Sequence, residues 1–107
     1  TAPGSEAVPK EVVLAARRGE EAAVLAWLDG GGRVDATFTR EGVSGITLLM
    51  AAAAYGHERL AATLLQRGAS INLRDSAGRA ALLYAARYMY GHERMVELLL
   101  RRGAEIN

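Results

Sequence analysis

Apolar residues recur along the chain at helical spacing, and stretches rich in polar residues and glycine separate them. The clearest apolar pattern has an i, i+4, i+5 spacing and occurs twice, at Leu60, Leu64 and Leu65 and again at Met95, Leu99 and Leu100. That spacing places the side chains on one face of a helix. The pattern therefore predicts short amphipathic helices, each with one buried stripe.

These helices are predicted to come in pairs. The first helix of a pair is expected at residues 9–18, 47–55 and 80–90, and the second at residues 20–29, 57–67 and 92–102. Glycine ends the helices, because it adopts the left-handed conformation at little steric cost. The glycines in these places are Gly19, Gly56 and Gly91 after the first helices, and Gly31, Gly68 and Gly103 after the second. The connections at 35–45 and 72–78 are predicted to be turns or short hairpins.

The helix pairs belong to an internal repeat. Residues 45–72 and 78–107 align by eye, with Gly45 and Gly78 33 positions apart. The later copy carries two extra residues near the end of its first helix. A weaker copy, residues 12–35, precedes them, and four extra residues lie in the connection after it. Repeats of this length are typical of solenoids, in which each unit packs only on its neighbours.

The repeated residues resemble the ankyrin repeat, whose pattern opens with T-P-L-H-x-A-A, turns at G-H, continues with V-x-L-L-L and closes with G-A-x-x-N. The second unit matches it at Thr47, Leu49, Ala52, Ala53, Gly56, His57, Leu64, Leu65, Gly68, Ala69 and Asn72. The third matches it at Leu82, Ala85, Ala86, Gly91, His92, Val96, Leu98, Leu99, Leu100, Gly103, Ala104 and Asn107. The resemblance implies an all-α fold, an ankyrin-repeat solenoid of three helix–turn–helix units joined by short hairpin-like loops.

The resemblance covers about residues 8–107 as a single domain, with repeats at about 8–40, 41–74 and 75–107. Residues 1–7 are expected to be a flexible N-terminal segment. The first repeat is divergent, and no C-terminal cap is evident after the third, so the last helix pair is expected to expose one face. A longer parent array, a trimmed chain or self-association would each account for that exposed face.

Two positions depart from the family pattern in both of the better copies. Leu48 and Ala81 stand where the family has proline, and Met50 and Leu83 stand where it has its first histidine. In the family these residues help to fix the start of the first helix. Their replacement is expected to change local stability rather than the fold.

Composition limits the classes of function. Lys and Arg total 13 and Asp and Glu total 12, so the net charge of +1 gives no general attraction to nucleic acid or to an acidic membrane. The chain has no cysteine, which excludes thiolate catalysis and thiolate metal sites and fits a reducing compartment. No apolar stretch is long enough to span a membrane. We therefore expect an intracellular location, cytoplasmic or nuclear.

Candidate chemistry is sparse. His57 and His92 occupy the same turn position in their repeats, so we interpret them as structural and expect each to hydrogen-bond neighbouring backbone. A metal-binding or proton-transfer role is the alternative. No nucleophile with a base, and no set of metal ligands, is apparent. We therefore expect no catalytic residues, metal or cofactor, and a protein that is not an enzyme.

The resemblance implies that a partner protein docks on the loop tips and on the inner face of the first helices. The candidate contact residues are Arg40, Glu41, Val43, Ser44, Ile46, Tyr55, Arg74, Ser76, Arg79, Arg87, Tyr88 and Tyr90. Tyr and Arg are enriched where binding energy concentrates. The run from Arg87 to Tyr90 coincides with the two extra residues, and it either contacts a partner or covers the last repeat's core.

The function predicted is a non-catalytic protein–protein interaction module. A self-associating fragment is an alternative, in which a homodimer or a domain swap forms through the C-terminal repeat. An engineered ankyrin scaffold is another, because the missing cysteine and the regular last repeat are compatible with design.

Overall fold

The computed structural model describes residues 7–87 and 93–106, which form six helices and one two-stranded hairpin. In chain order the elements are α1 (Lys10–Arg18), α2 (Glu21–Asp29), β1 (Thr37–Arg40), β2 (Val43–Thr47), α3 (Leu48–Ala54), α4 (Glu58–Gln66), α5 (Ala81–Arg87) and α6 (Glu93–Arg101). Residues 1–6 of the predicted flexible segment lie outside the described residues, as do residues 88–90 of the predicted third first helix.

Helices α1 to α5 each begin one residue later than the apolar pattern predicts. The prediction of an all-α fold is wrong in one respect, because the first connection contains the strands β1 and β2. The physical reason lies in the four extra residues of that connection, which provide enough chain for two paired strands. The prediction of a turn or short hairpin between residues 35 and 45 is confirmed.

The helices form two layers. The first helices α1, α3 and α5 pack side by side, and each second helix packs on the first helix of its own repeat. The central helix α3 is buried at all seven positions, because it has a neighbour on both sides. Four of those positions are alanine, which lets helices approach closely. The stacking of α3 thus ties the three repeats into one core.

The largest fully buried side chains come from the α3 layer and from one stripe on the second helices. They are Leu48, Leu49, Met50, Leu60, Leu64, Met95, Leu99 and Val24. The predicted buried stripe of helices α4 and α6 is therefore correct at its first two positions, but its third position is not fully buried. Leu65 packs against the core but is only partly buried, and Leu100 is 40% exposed.

The capping of α3 accounts for the replaced proline and histidine of the family pattern. The Thr47 hydroxyl accepts a hydrogen bond from the Met50 backbone N–H at 3.2 Å. The Thr47 N–H in turn lies 3.4 Å from the Met50 sulfur, a weak acceptor. The two residues form a reciprocal cap, which starts the helix without a proline.

The hairpin between the first two repeats owes its shape to its turn and to a bulge. Glu41 and Gly42 form a two-residue turn with φ of 52° and 82°, the positive values that tight hairpins favour. Ser44 and Gly45 together oppose one residue of β1, and Gly45 has a φ of 75°. A bulge bends and twists its strand. Here it directs β2 onto the next connection, where Ser44 exchanges two hydrogen bonds with Ser76 at 2.8 and 2.9 Å.

Polar contacts join each repeat to the next. His57 Nε2 donates to the Arg17 carbonyl at 2.6 Å, so the predicted structural role of this histidine is confirmed. The other histidine, His92, lies outside the described residues. Asp35 accepts hydrogen bonds from the Ser70 N–H and hydroxyl at 2.9 and 2.7 Å. These bonds fix the register between neighbouring units, which is where a solenoid gains much of its stability.

Gly19→Ala is expected to destabilise the chain more than Gly56→Ala does. Both glycines end first helices with φ near 75°, so alanine is strained equally at the two positions. A Cβ at Gly19 would lie 2.6 Å from His57 Nδ1, whereas one at Gly56 meets nothing within 4 Å. The imidazole would have to move and lose its bond to the Arg17 carbonyl. Urea unfolding of both variants measures the difference, which we expect to be about 1 kcal/mol.

Equal losses of stability in the two glycine variants would contradict this role of His57. Removal of the imidazole in a His57→Ala background should make the two glycine positions equivalent.

Candidate functional site

A cavity of about 410 Å³ opens between the hairpin and the C-terminal ends of α1 and α3. The residues that line it are Arg17, Phe38, Arg40, Glu41, Val43, Ile46, Ala51, Ala54, Tyr55, Arg79 and Tyr84. Ligand pockets in proteins usually span roughly 300–1,000 Å³. This space, called the Arg–Tyr cavity below, is thus large enough to receive side chains of a partner. All three repeats contribute to it.

Two arginines hold Tyr55 at the cavity wall. The Arg17 guanidinium lies over the Tyr55 ring, 5.4 Å from its centroid. Arg40 Nη1 donates a hydrogen bond to the Tyr55 hydroxyl at 3.0 Å. That bond is the main reason why the pKa of Tyr55 is lowered, although partial burial of the phenol acts in the opposite direction. The same bond raises the pKa of Arg40. One aromatic ring is therefore fixed between a cation above it and a cation at its hydroxyl.

Asp75 organises the opposite side of the cavity. Its carboxylate is buried, and it accepts hydrogen bonds from the backbone N–H groups of Ala77 and Arg79, both at 2.9 Å. It also accepts from Arg79 Nε at 3.2 Å and from the Tyr84 hydroxyl. The Arg79 guanidinium lies over the Tyr84 ring, 5.0 Å from its centroid. One carboxylate therefore positions both an arginine and a tyrosine of the cavity.

The pKa of Asp75 is lowered by this arrangement. Burial of the carboxylate raises the pKa, but the bonds from Tyr84 and the two backbone N–H groups, with the charge of Arg79, more than offset it. The native state therefore binds a proton less readily at Asp75 than the unfolded chain does.

Asp75 is expected to stabilise the fold at neutral pH and to lose that effect in acid. Because its native pKa lies below the unfolded value of about 3.9, the contribution is complete above that value and falls as pH drops through the native pKa. Urea unfolding from pH 7 to pH 2 should show the stability gap between wild type and Asp75→Asn narrowing below pH 4. A gap that is constant with pH would contradict the lowered pKa.

The structure brings together half of the residues that the sequence nominated for partner binding. Those that line the Arg–Tyr cavity are Arg40, Glu41, Val43, Ile46, Tyr55 and Arg79. Ile46 contributes little free surface, because it is buried in the core as well. The members of this group lie on the hairpin, on α3 and on the next loop.

The other nominated residues lie elsewhere. Ser44 and Ser76 use their polar atoms on each other, so they join repeats. Arg74 lines a separate groove beside α5, and Arg87 is exposed at the end of that helix. The remaining two, Tyr88 and Tyr90, lie outside the described residues.

Sequence reasoning missed several residues of the site, among them Arg17, Phe38, Asp75 and Tyr84. Arg17 reads as one of several basic residues at a helix end, and Phe38 as part of a loop. Tyr84 and Asp75 stand at positions without a counterpart that stands out in the other repeats. A signal was available in Asp75, because an acid followed at four residues by an arginine predicts a local pair. Nothing in the sequence placed Arg17 beside Tyr55.

Among residues 7–87 and 93–106, no group of three His, Cys, Asp or Glu side chains is arranged to hold a metal ion. In the same part of the chain, no helix has the length and apolar content needed to cross a membrane.

Comparison with known families agrees with the repeat register. The family model described as ankyrin repeats, in three copies, matches residues 12–107, nearly the whole chain. The match includes the divergent first unit as well as the two regular ones. Ankyrin repeats are generally protein–protein interaction modules and are typically non-catalytic. With its two layers of paired helices and its three matched copies, the chain belongs to the ankyrin repeat family.

Proposed function

We propose that this chain binds a partner protein through its first-helix side, with the Arg–Tyr cavity at the centre of the contact. The observation that carries the proposal is the convergence on one cavity of Arg40 from β1, Tyr55 from the C-terminal end of α3 and Arg79 from the loop before α5. Aromatic and arginine side chains in a well-packed depression are typical of binding hot spots. The family's general role as an interaction module supports the same conclusion.

Rigid presentation favours such binding. Tyr55 is held by two arginines, and Tyr84 by Asp75, before any partner arrives. Side chains that are already ordered lose little conformational entropy on association, and that improves affinity. The hairpin is fixed in turn by the bonds between Ser44 and Ser76. The site therefore has the pre-organisation that a non-catalytic binding module needs.

Photo-cross-linking in cells that express the protein tests the proposal. A photoreactive residue at Val43, on the cavity wall, should capture a discrete partner, whereas one at Arg59 on α4 should not. With the purified partner, Tyr55→Ala and Arg40→Ala should each weaken binding at least tenfold, about 1.4 kcal/mol. Arg59→Ala is the matched control, because that side chain is 91% exposed on the second-helix side. Undiminished binding by both cavity variants would overturn the proposal.

Self-association is a second candidate, favoured by the apolar surface near α5 and α6. Leu83 is 40% exposed and Ile106 is 78% exposed, and both line the groove beside α5. Exposed apolar side chains that cluster are typical of contact surfaces. Analytical ultracentrifugation over a hundredfold range of protein concentration measures the molecular mass and so tests self-association. A constant monomer mass would remove this candidate, and a dimer lost on Leu83→Glu would support it.

A further inference from the structure

Two of the three arginines at the Arg–Tyr cavity, Arg17 and Arg40, form no ion pair among the described residues. Arg79 is paired with the buried Asp75. Arg40 donates to the Tyr55 hydroxyl, and Arg17 lies on the face of the same ring. The Arg17 Nε atom is buried and makes no hydrogen bond within the described part of the chain. A buried donor without an acceptor costs free energy, so this side of the cavity is short of an acceptor.

Most of the remaining lining of the cavity is apolar. Phe38, Val43 and Ile46 come from the hairpin, and Ala51 and Ala54 come from α3. Phe38, Val43 and Tyr55 pack against the core but keep part of their surface free. The cavity thus combines guanidinium groups and apolar side chains within one small volume. An apolar ligand alone would leave Arg17 and Arg40 without a carboxylate, and a fully polar one would leave the apolar lining uncovered.

We infer that the cavity binds a segment of a partner protein in which an Asp or Glu carboxylate stands beside a large apolar or aromatic residue. The carboxylate pairs with Arg40 and Arg17, and the apolar side chain covers Phe38 and Val43. This inference rests on the proposed function and specifies the chemistry of the partner. Arginine suits this role because its planar guanidinium binds carboxylates through two parallel hydrogen bonds.

The surrounding charge favours a carboxylate over a phosphate or a nucleic acid. Glu41 lies at the rim beside Arg40 and adds a negative charge to the cavity's edge. The whole chain carries a net charge of only +1. Nucleic-acid binding draws on many phosphate contacts from a broad basic surface. Two guanidinium groups with one opposing carboxylate instead match a single acidic side chain.

Selection from a displayed library of random twelve-residue peptides tests the inference on the intact chain. We expect enriched peptides to share an Asp or Glu next to Leu, Phe, Tyr or Trp. In synthetic versions of these peptides, Asp→Asn or Glu→Gln should weaken binding about tenfold, because a charge-assisted hydrogen bond is lost. The loss should shrink as salt rises, since the pair is partly exposed.

Substitutions of the cavity arginines test the same pairing from the side of the protein. Arg40→Gln should weaken binding of the acidic peptide about tenfold and leave its Gln version unaffected. Arg40→Lys should restore part of the affinity, because it keeps the charge without the planar fork. Arg17→Gln should act in the same direction as Arg40→Gln. Arg18→Gln, at the exposed next position of α1, should have no effect.

The outcomes separate the inference from the proposed function. Peptides whose binding requires Tyr55 but is unchanged by Glu→Gln in the peptide would overturn the carboxylate inference. Such peptides would still support the proposed binding surface. Tighter binding of a phosphoserine version than of the Glu version would also overturn it, in favour of a phosphate ligand. Absence of any enriched peptide that depends on Tyr55 or Arg40 would overturn both.

Discussion

Leu99→Ala is expected to lower the free energy of unfolding by about 2–5 kcal/mol, the usual cost of truncating a buried leucine. Leu99 has no exposed surface, and it lies on the α6 stripe that faces α5 and α4. The truncation removes apolar contacts and leaves a space that neighbouring helices cannot fill. Urea unfolding followed by circular dichroism measures the loss. In a domain of this size the variant is expected to be largely unfolded at 37 °C.

Leu100→Ala is the control, since it makes the same chemical change one residue further along the same helix. The Leu100 side chain is 40% exposed, so we expect its truncation to lower the free energy of unfolding by less than about 1 kcal/mol. Leu99→Val, a smaller truncation, keeps the comparison measurable if Leu99→Ala does not fold. Similar losses at positions 99 and 100 would contradict the orientation of α6 on the stack.

Asp75→Ala is expected to cost about 3–5 kcal/mol, the typical result of removing one member of a buried ion pair. The change leaves the Arg79 guanidinium without its carboxylate, and the Tyr84 hydroxyl without this acceptor. It also leaves the N–H groups of Ala77 and Arg79 without this acceptor. The loop that carries these groups would lose the bonds that shape it. Chemical denaturation at pH 7 gives the magnitude.

Two controls separate the causes. Asp75→Asn keeps an oxygen for the two backbone N–H groups but removes the charge that pairs with Arg79, so it should cost less than Asp75→Ala. Asp29→Ala removes an exposed partner of Arg67 on the surface and should cost at most about 1 kcal/mol. If Asp75→Ala proved as mild as Asp29→Ala, the loop would be held by other contacts and the cavity's third arginine would not depend on Asp75.

The helices could be predicted because each repeat carries its own local signals. The spacing of apolar residues predicted which face of each helix is buried, and glycines such as Gly19 and Gly56 predicted where the first helices end. The boundary error of one residue arose because Thr47 and His57, which the sequence places inside helices, occupy the N-cap positions just before them. The third stripe position could not be resolved, because leucine at 99 and 100 looks the same until the helix is placed on its neighbours.

The candidate site was only half predictable for a related reason. Loop tips and first helices follow from the repeat register, and so Arg40 and Tyr55 were found. The cavity also depends on contacts between residues 38 positions apart, such as Arg17 over Tyr55. Such pairs have no local pattern, and they form only when two repeats stack. The bulge at Gly45, which turns the hairpin toward the next repeat, was likewise not predicted by any pattern in the sequence.

The measurement that tests the central claim most directly is a backbone amide NMR titration of the labelled chain with the cross-linked partner, once purified. Binding through the first-helix side predicts the largest shift changes in β1, β2 and the C-terminal turns of α1 and α3, around Arg40 and Tyr55. The second helices α2 and α4 should change little. Shift changes concentrated on α2, α4 and α6, with the hairpin unaffected, would contradict the account.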